Sequence, residues 1–169
     1  MKKFELKSIS ENAVSSALEK AVWYRALNEP LEAESICRDV LEVDPEHQLA
    51  VATLLLALTD QFARGLGNRV RESRELAKSL KSDYEKEYYA GLISERRAKC
   101  QYHKGTPGCG HLAYEGLGEA MEHYEKAQKL SPEGNDDAVL RWNTCARIID
   151  ANPDIVPAPA SQSEPVELE

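Results

Sequence analysis

Apolar residues recur along most of this chain with the three- and four-residue spacing of an amphipathic α-helix. The first run ends at Leu27, before Asn28-Glu29-Pro30, and the second spans 31–43, before Asp44-Pro45. Because proline disfavours helix in the residue before it, both runs are expected to stop there. Strand-type alternation with tight-turn residues is missing from the sequence. The pattern therefore predicts an all-α fold.

Five further helical runs follow, at 48–63, 68–81, 84–103, 119–130 and 138–150. The last run has an apolar stripe that suits packing on the helix before it. The stripe consists of Ala138, Val139, Trp142, Cys145, Ala146 and Ile149. Beyond it, 153–169 is rich in Pro, Ser and acidic residues, a composition typical of disorder.

The stretch AVSSALEKAVWYRALNEPLEAESICRDVLEVDPEH resembles a tetratricopeptide repeat, a helix-turn-helix unit of about 34 residues. Four positions carry the resemblance: Ala21 at the family's small-residue site, Tyr24, Ala33 and the closing Pro45. The chain departs from the family pattern at Ala17, Lys20 and Cys37. A second match comes later, with Gly91, Ala120, Tyr124, Ala127 and Pro132 at corresponding positions.

The resemblance implies an α-solenoid of three helical hairpins and a C-terminal capping helix within residues 1–152. The repeats are expected at about 14–47, 48–83 and 84–134, with the capping helix at 136–150. Pro45 and Pro132 are 87 residues apart, more than two periods of about 34. We assign most of the excess to an inserted loop at about 100–116.

In the family that this chain resembles, the first helix of each hairpin lines a concave groove that binds peptides or helices. The corresponding positions here are mostly apolar, although any one of them could instead belong to the core. They are Leu18, Val22, Arg25, Leu49, Ala52, Leu56, Thr59, Tyr88, Leu92, Glu95 and Arg96.

The resemblance therefore implies a protein-binding adaptor or scaffold with an apolar groove for an amphipathic helix or peptide. Chaperone-binding relatives use lysines and asparagines to hold a terminal carboxylate. Leu18, Val22 and Leu56 occupy those places here, so such a clamp is not expected. A structural homo-oligomer is an alternative, with self-association as its basis.

Charge is unevenly distributed along the 169 residues, whose net charge is −8. Residues 64–104 hold eleven Lys/Arg against six Asp/Glu, and the remainder is strongly acidic. Such a layout can steer a charged partner, or join the end of one copy to the middle of another. A basic stripe at Arg71, Arg74, Lys78 and Lys81 indicates either a solvated face or a docking surface. Without interleaved aromatic residues, nucleic acid is not an expected partner.

The stretch CQYHKGTPGCGH contains two cysteines and two histidines. Cys100, His103, Cys109 and His111 could form a tetrahedral zinc site, and a zinc-stabilised recognition module is the alternative function. Turn chemistry at 105–108 instead favours an extended interhelix loop without cofactor. A Cys100–Cys109 disulfide is the third possibility. Cys37 and Cys145 fall on inward stripes and are interpreted as small hydrophobes.

No nucleophile–base pair, phosphate loop or paired-carboxylate cleft stands out, so an enzyme is not expected. His47 and His123 suit surface or packing roles. The sequence lacks an apolar run of about 20 residues and a signal-type start. We therefore expect a cytoplasmic protein without a membrane partner.

Overall fold

The structure is a computed structural model, and it describes residues 4–159. Within that range it contains seven α-helices and two short 3₁₀ turns, and no β-strand. The helices are α1 (Val14–Ala26), α2 (Pro30–Val43), α3 (Gln48–Asp60), α4 (Gly67–Ser79), α5 (Asp83–His103), α6 (Cys109–Leu130) and α7 (Asp137–Ala151). The all-α prediction is confirmed for these residues.

Each helix packs against the next one along the chain, so the fold is built from neighbouring antiparallel pairs. The odd-numbered helices also touch, α1 against α3 and α3 against α5. One core cluster joins α1, α2 and α3, and another joins α5, α6 and α7. None of the helices in the described part of the chain is both long and apolar enough to cross a membrane.

The predicted helix breaks lie where the sequence places them. Asn28 has φ 61°, a left-handed conformation that asparagine tolerates, and Pro30 opens α2 at its first turn. Helix α2 ends at Val43, directly before Asp44-Pro45. At the start of α5, the Ser82 side chain accepts a hydrogen bond from the backbone N–H of Glu85, which caps the helix.

Small residues allow close approach where the helices cross. Ala21 and Ala33 are fully buried between α1 and its neighbours. In the last hairpin, a Cβ on Gly91 would lie 2.8 Å from Tyr124 Cε1 and 3.1 Å from the Ala120 carbonyl oxygen. These positions are among those that carry the sequence resemblance, and their buried packing explains why small residues stand there.

The predicted inserted loop at 100–116 is wrong, because the insertion is helical. Helices α5 and α6 have 21 and 22 residues, against 13 or 14 in α1 to α4, and only residues 104–108 connect them. The extra turns bury Ala113 and Leu117 against α5. Gly116 lies against Ala98, whose Cβ would be 2.8 Å from an added Cβ. The turn signals at 105–108 mark the short connection itself, and burial of these residues keeps the chain after it helical.

The predicted capping helix is observed as α7, which covers α5 and α6 with Ala138 and Cys145 in the shared core. The prediction of a disordered tail at 153–169 is wrong in its first part, because Ile155 is 2% exposed and packs into the same core. Residues 160–169 lie outside the described range.

Replacing Gly91 by alanine tests the close contact between α5 and α6. We expect Gly91→Ala to lower the free energy of unfolding by about 1–3 kcal/mol, since the added methyl group would overlap the Tyr124 ring. Gly118→Ala in α6 is the matched control. An added Cβ there meets nothing within 4 Å, so the helix should gain up to about 1 kcal/mol. Urea denaturation measures both changes, and equal effects would contradict the packing described here.

Candidate functional site

Helices α1, α3 and α5 lie side by side and form one surface, called here the odd-helix face. An arginine, an aspartate and a second arginine meet on it, one from each helix. Arg25 Nε donates to Asp60 Oδ2 at 2.7 Å, and Arg96 Nη1 donates to Asp60 Oδ1. Arg96 Nη1 also lies 2.6 Å from Thr59 Oγ1. The cluster therefore fixes the three helices relative to one another.

This Arg25–Asp60–Arg96 cluster carries more positive than negative charge. Within residues 4–159, Asp60 is the only carboxylate in ion-pair contact with either arginine. All three side chains are 21% exposed, so the cluster is open to solvent. Guanidinium groups bind carboxylates through paired hydrogen bonds. The cluster can accordingly attract a further acidic group.

Sequence reasoning placed Arg25 and Arg96 in the groove but missed Asp60. A usable signal was present, since Arg25 and Asp60 are 35 residues apart and Asp60 and Arg96 are 36 apart. Those separations are close to the repeat period of about 34 residues, so the three side chains occupy equivalent positions in successive hairpins.

An open apolar depression lies next to the cluster, between α1 and the start of α3. It has a volume of about 370 Å³ and is lined by Ser15, Leu18, Glu19, Val22, His47 and Leu49. Leu18 is 4% exposed, whereas Val22 and Leu49 are 46% and 58% exposed. Val22 precedes Arg25 by less than one helical turn, about 4.5 Å along the axis of α1. Apolar and cationic groups therefore adjoin on this surface.

Much of the predicted groove lies in the interior of the protein. Ala52, Thr59, Leu92 and Glu95 are at most 4% exposed, and unlike Leu18 none of them lines the open depression. Two further predicted positions, Leu56 and Tyr88, are half-buried and pack against core clusters. The charged side chains of Arg25, Asp60 and Arg96 also make the odd-helix face polar at the C-terminal ends of α1 and α3.

Glu95 is fully buried and forms a charged centre inside the last hairpin. Its carboxylate accepts a hydrogen bond from Tyr124 Oη at 2.7 Å. Lys99 Nζ lies 2.7 Å from it and Arg141 Nη1 lies 3.2 Å from it. Burial and the neighbouring charge of Glu95 raise the pKa of the Tyr124 hydroxyl, which stays protonated and donates. Glu95 thus links α5, α6 and α7.

The four candidate zinc ligands are not brought together. His103 Nδ1 lies 2.6 Å from the Lys99 carbonyl oxygen, and His111 Nδ1 lies 2.9 Å from that of Val156. Cys100 Sγ instead contacts the Phe62 carbonyl oxygen at 3.4 Å. Across 4–159, no three His, Cys, Asp or Glu side chains are grouped to hold a metal. All four cysteines are free, so the Cys100–Cys109 disulfide is not present either.

Each residue of the predicted basic stripe contacts a polar or acidic side chain of its own. Arg71 donates to Asn68, and Lys78 pairs with Glu75 at 3.0 Å. The other two reach neighbouring elements, since Arg74 lies 3.6 Å from Glu119 and Lys81 lies 2.8 Å from Glu46. Helix α4 ends at Ser79, so Lys81 lies beyond it. These contacts favour the solvated face of the two interpretations, and the docking surface stays a prediction.

Arg74 and Lys78 also line a depression of about 480 Å³ between α4, α5 and α6. Its walls hold opposite charges that pair with each other, His123 Nδ1 with Glu87 at 2.7 Å and Arg74 with Glu119. Lys78 and Lys86 on its lining pair with Glu75 and Asp83. Each lysine or arginine of this depression therefore has a different carboxylate partner, whereas Arg25 and Arg96 share Asp60.

Comparison with known proteins adds no assignment: no protein-family model, curated protein or solved structure matches this chain.

Thiol reactivity should divide the cysteines into two pairs. Burial raises the pKa of Cys37 and of Cys145 to about 12, so neither forms a thiolate at neutral pH. Cys100 and Cys109 are half-buried. We expect a thiol-specific reagent to modify only these two in the folded protein, and all four in denaturant. Mass spectrometry of the modified peptides checks this, and modification of Cys37 in folded protein would contradict it.

Removing the buried charge at Glu95 should destabilise the last hairpin. Glu95→Gln leaves Arg141 without its anionic partner, and because Arg141 is 31% exposed the loss should be about 1–3 kcal/mol, that of a hydrogen bond to a charged group. Tyr124→Phe, which removes only one hydrogen bond, should cost about 1–3 kcal/mol. Denaturant titration of both variants and of the double variant gives their coupling. Additive losses would show that the two groups do not act together.

Proposed function

We propose that this chain is a protein-binding module whose odd-helix face takes an acidic peptide carrying an apolar side chain. The apolar side chain enters the depression formed by Leu18, Val22 and Leu49. The acidic group lies against Arg25 and Arg96. The expected adaptor role is thereby kept, with a mixed rather than an apolar surface.

The observation that carries this proposal is the arrangement on α1. Leu18, Val22 and Arg25 follow one another at four- and three-residue spacing, so they share one face of the helix. That face passes from the depression to the Arg25–Asp60–Arg96 cluster within a single turn. A peptide residue and its near neighbour can contact both at once.

The charges around the depression also favour one placement of the acidic and apolar side chains of the peptide. Glu19 also lines the depression, and it precedes Arg25 by six residues, about 9 Å along the axis of α1, so it disfavours an acidic group near that part of the helix. The two arginines lie at the other end, where Asp60 neutralises only one of them. We therefore place the acidic residue toward the C-terminal ends of α1 and α3, with the apolar residue toward their N-terminal halves.

Selection from a displayed library of random peptides tests the chemistry without knowledge of a natural partner. Bound peptides should combine Asp or Glu with an aliphatic or aromatic residue close by. Leu49→Glu should weaken binding about tenfold or more, since it places a carboxylate in the apolar depression. Arg25→Gln should weaken it and reduce its dependence on salt, because a screened ion pair is lost. Calorimetric titration of a selected peptide measures these changes.

The matched control is Leu140→Glu, which introduces the same charge at a leucine that is 62% exposed on α7. It should leave peptide affinity unchanged. Selected peptides without acidic residues, or equal losses from Leu49→Glu and Leu140→Glu, would rule out the odd-helix face as the binding surface.

A further inference from the structure

The segment after α7 is held firmly against the tip of the last hairpin. Tyr102 Oη donates to Asp154 Oδ1 at 2.8 Å, and Ile155 is 2% exposed in the core of α5, α6 and α7. The Val156 carbonyl oxygen lies 2.9 Å from His111 Nδ1. These contacts fix the place at which the remaining residues leave the helical body.

Gly110 makes this attachment possible. A Cβ at that position would lie 2.1 Å from the Asp154 carbonyl oxygen, a distance that no side chain permits. The backbone of the segment therefore rests directly on the first turn of α6. Together with the Tyr102 and His111 contacts, this close approach holds residues 154–156 at the tip shared by α5 and α6.

That exit lies near the cationic end of the odd-helix face. Tyr102 is six residues beyond Arg96 on α5, about 9 Å along the helix axis. Neighbouring helix axes are about 8–10 Å apart, so Arg25 lies roughly 20 Å to the side. The thirteen residues 157–169 span up to about 43 Å when extended. They are long enough to reach the whole face.

The composition of these residues complements the odd-helix face. Positions 160–169 contain Glu164, Glu167 and Glu169 and no lysine or arginine. Val166 and Leu168 alternate with the last two acids. This is the combination of acidic and apolar side chains that the Arg25–Asp60–Arg96 cluster and the neighbouring depression fit.

From the anchored exit, the reach and the charge complementarity, we infer that residues 160–169 of the same chain bind its odd-helix face. The segment competes there with the acidic peptide of a partner. This inference rests on the proposed function of the face, and it identifies one occupant of it. A partner must displace the segment. The apparent affinity of the chain for a partner is therefore reduced in proportion to the fraction of molecules whose face is unoccupied.

Competition within the full-length chain tests the inference. The probe is a fluorescent peptide with the sequence of residues 157–169, and anisotropy measures its binding to added protein. Glu164→Gln, Glu167→Gln and Glu169→Gln are combined in one variant. If the native segment covers its own face about nine-tenths of the time, this variant should bind the probe about tenfold more tightly than the native chain. Arg96→Gln in the same background should remove that gain.

A second variant releases the anchor and leaves the acidic residues in place. Gly110→Ala pushes the Asp154 backbone away from α6, so it should also tighten probe binding. Circular dichroism confirms that helix content is retained, and Gly118→Ala, on the same helix, should leave probe affinity as it is in the native chain.

Equal probe affinity for the native and triple-glutamine chains would overturn the inference. A native chain that dimerises with concentration in sedimentation, alongside a monomeric triple variant, would also overturn it, since the segment would then occupy another copy. Either result overturns only the inference about the segment. The proposed function is retained if a selected library peptide still binds through Leu49 and Arg25. Loss of that binding site would instead remove the proposed function itself.

Discussion

Close approach of helices at small residues is the constraint on which the rest of this structure depends. Ala21 and Ala33 bring α1 and α2 together, and Gly91 and Gly116 do the same for α5 and α6. Larger side chains at these crossings would separate the hairpins. The packed hairpins also contact one another through α1 and α3 and through α3 and α5, and there Asp60 pairs with an arginine on each side.

Two carboxylates hold the charged framework in different environments. Asp60 is 21% exposed and joins α1, α3 and α5, whereas Glu95 is fully buried and joins α5, α6 and α7. Each contacts two cationic side chains. Because Glu95 and Arg96 are consecutive on α5, their side chains point about 100° apart, one into the core and one onto the odd-helix face. Helix α5 thus carries both a buried charged side chain, Glu95, and a solvent-accessible one, Arg96, and the two have separate roles.

Helix periodicity and proline breaks were sufficient to predict the all-α fold, the break at Asn28-Glu29-Pro30 and a helix covering the last hairpin. They were insufficient for residues 100–116, where the turn is confined to 104–108 and burial of Ala113 and Leu117 accompanies a helix that begins at Cys109. Periodicity also identifies the face of a helix without revealing how deeply a neighbour covers it. For that reason Leu18, Val22 and Leu49 come together at an open depression, while Ala52 and Leu92 do not.

The net charge of −8 does not reveal the local excess of positive charge on the odd-helix face. Net charge describes long-range repulsion, but recognition at a surface depends on the few groups within about one Debye length of a ligand. At the odd-helix face those groups are two arginines that share one aspartate. The acidic surplus lies largely outside residues 64–104, including the segment at 160–169. Under the proposed function this distribution would favour acidic ligands at one face, and an acidic segment tethered nearby would have a concentration advantage over any free competitor.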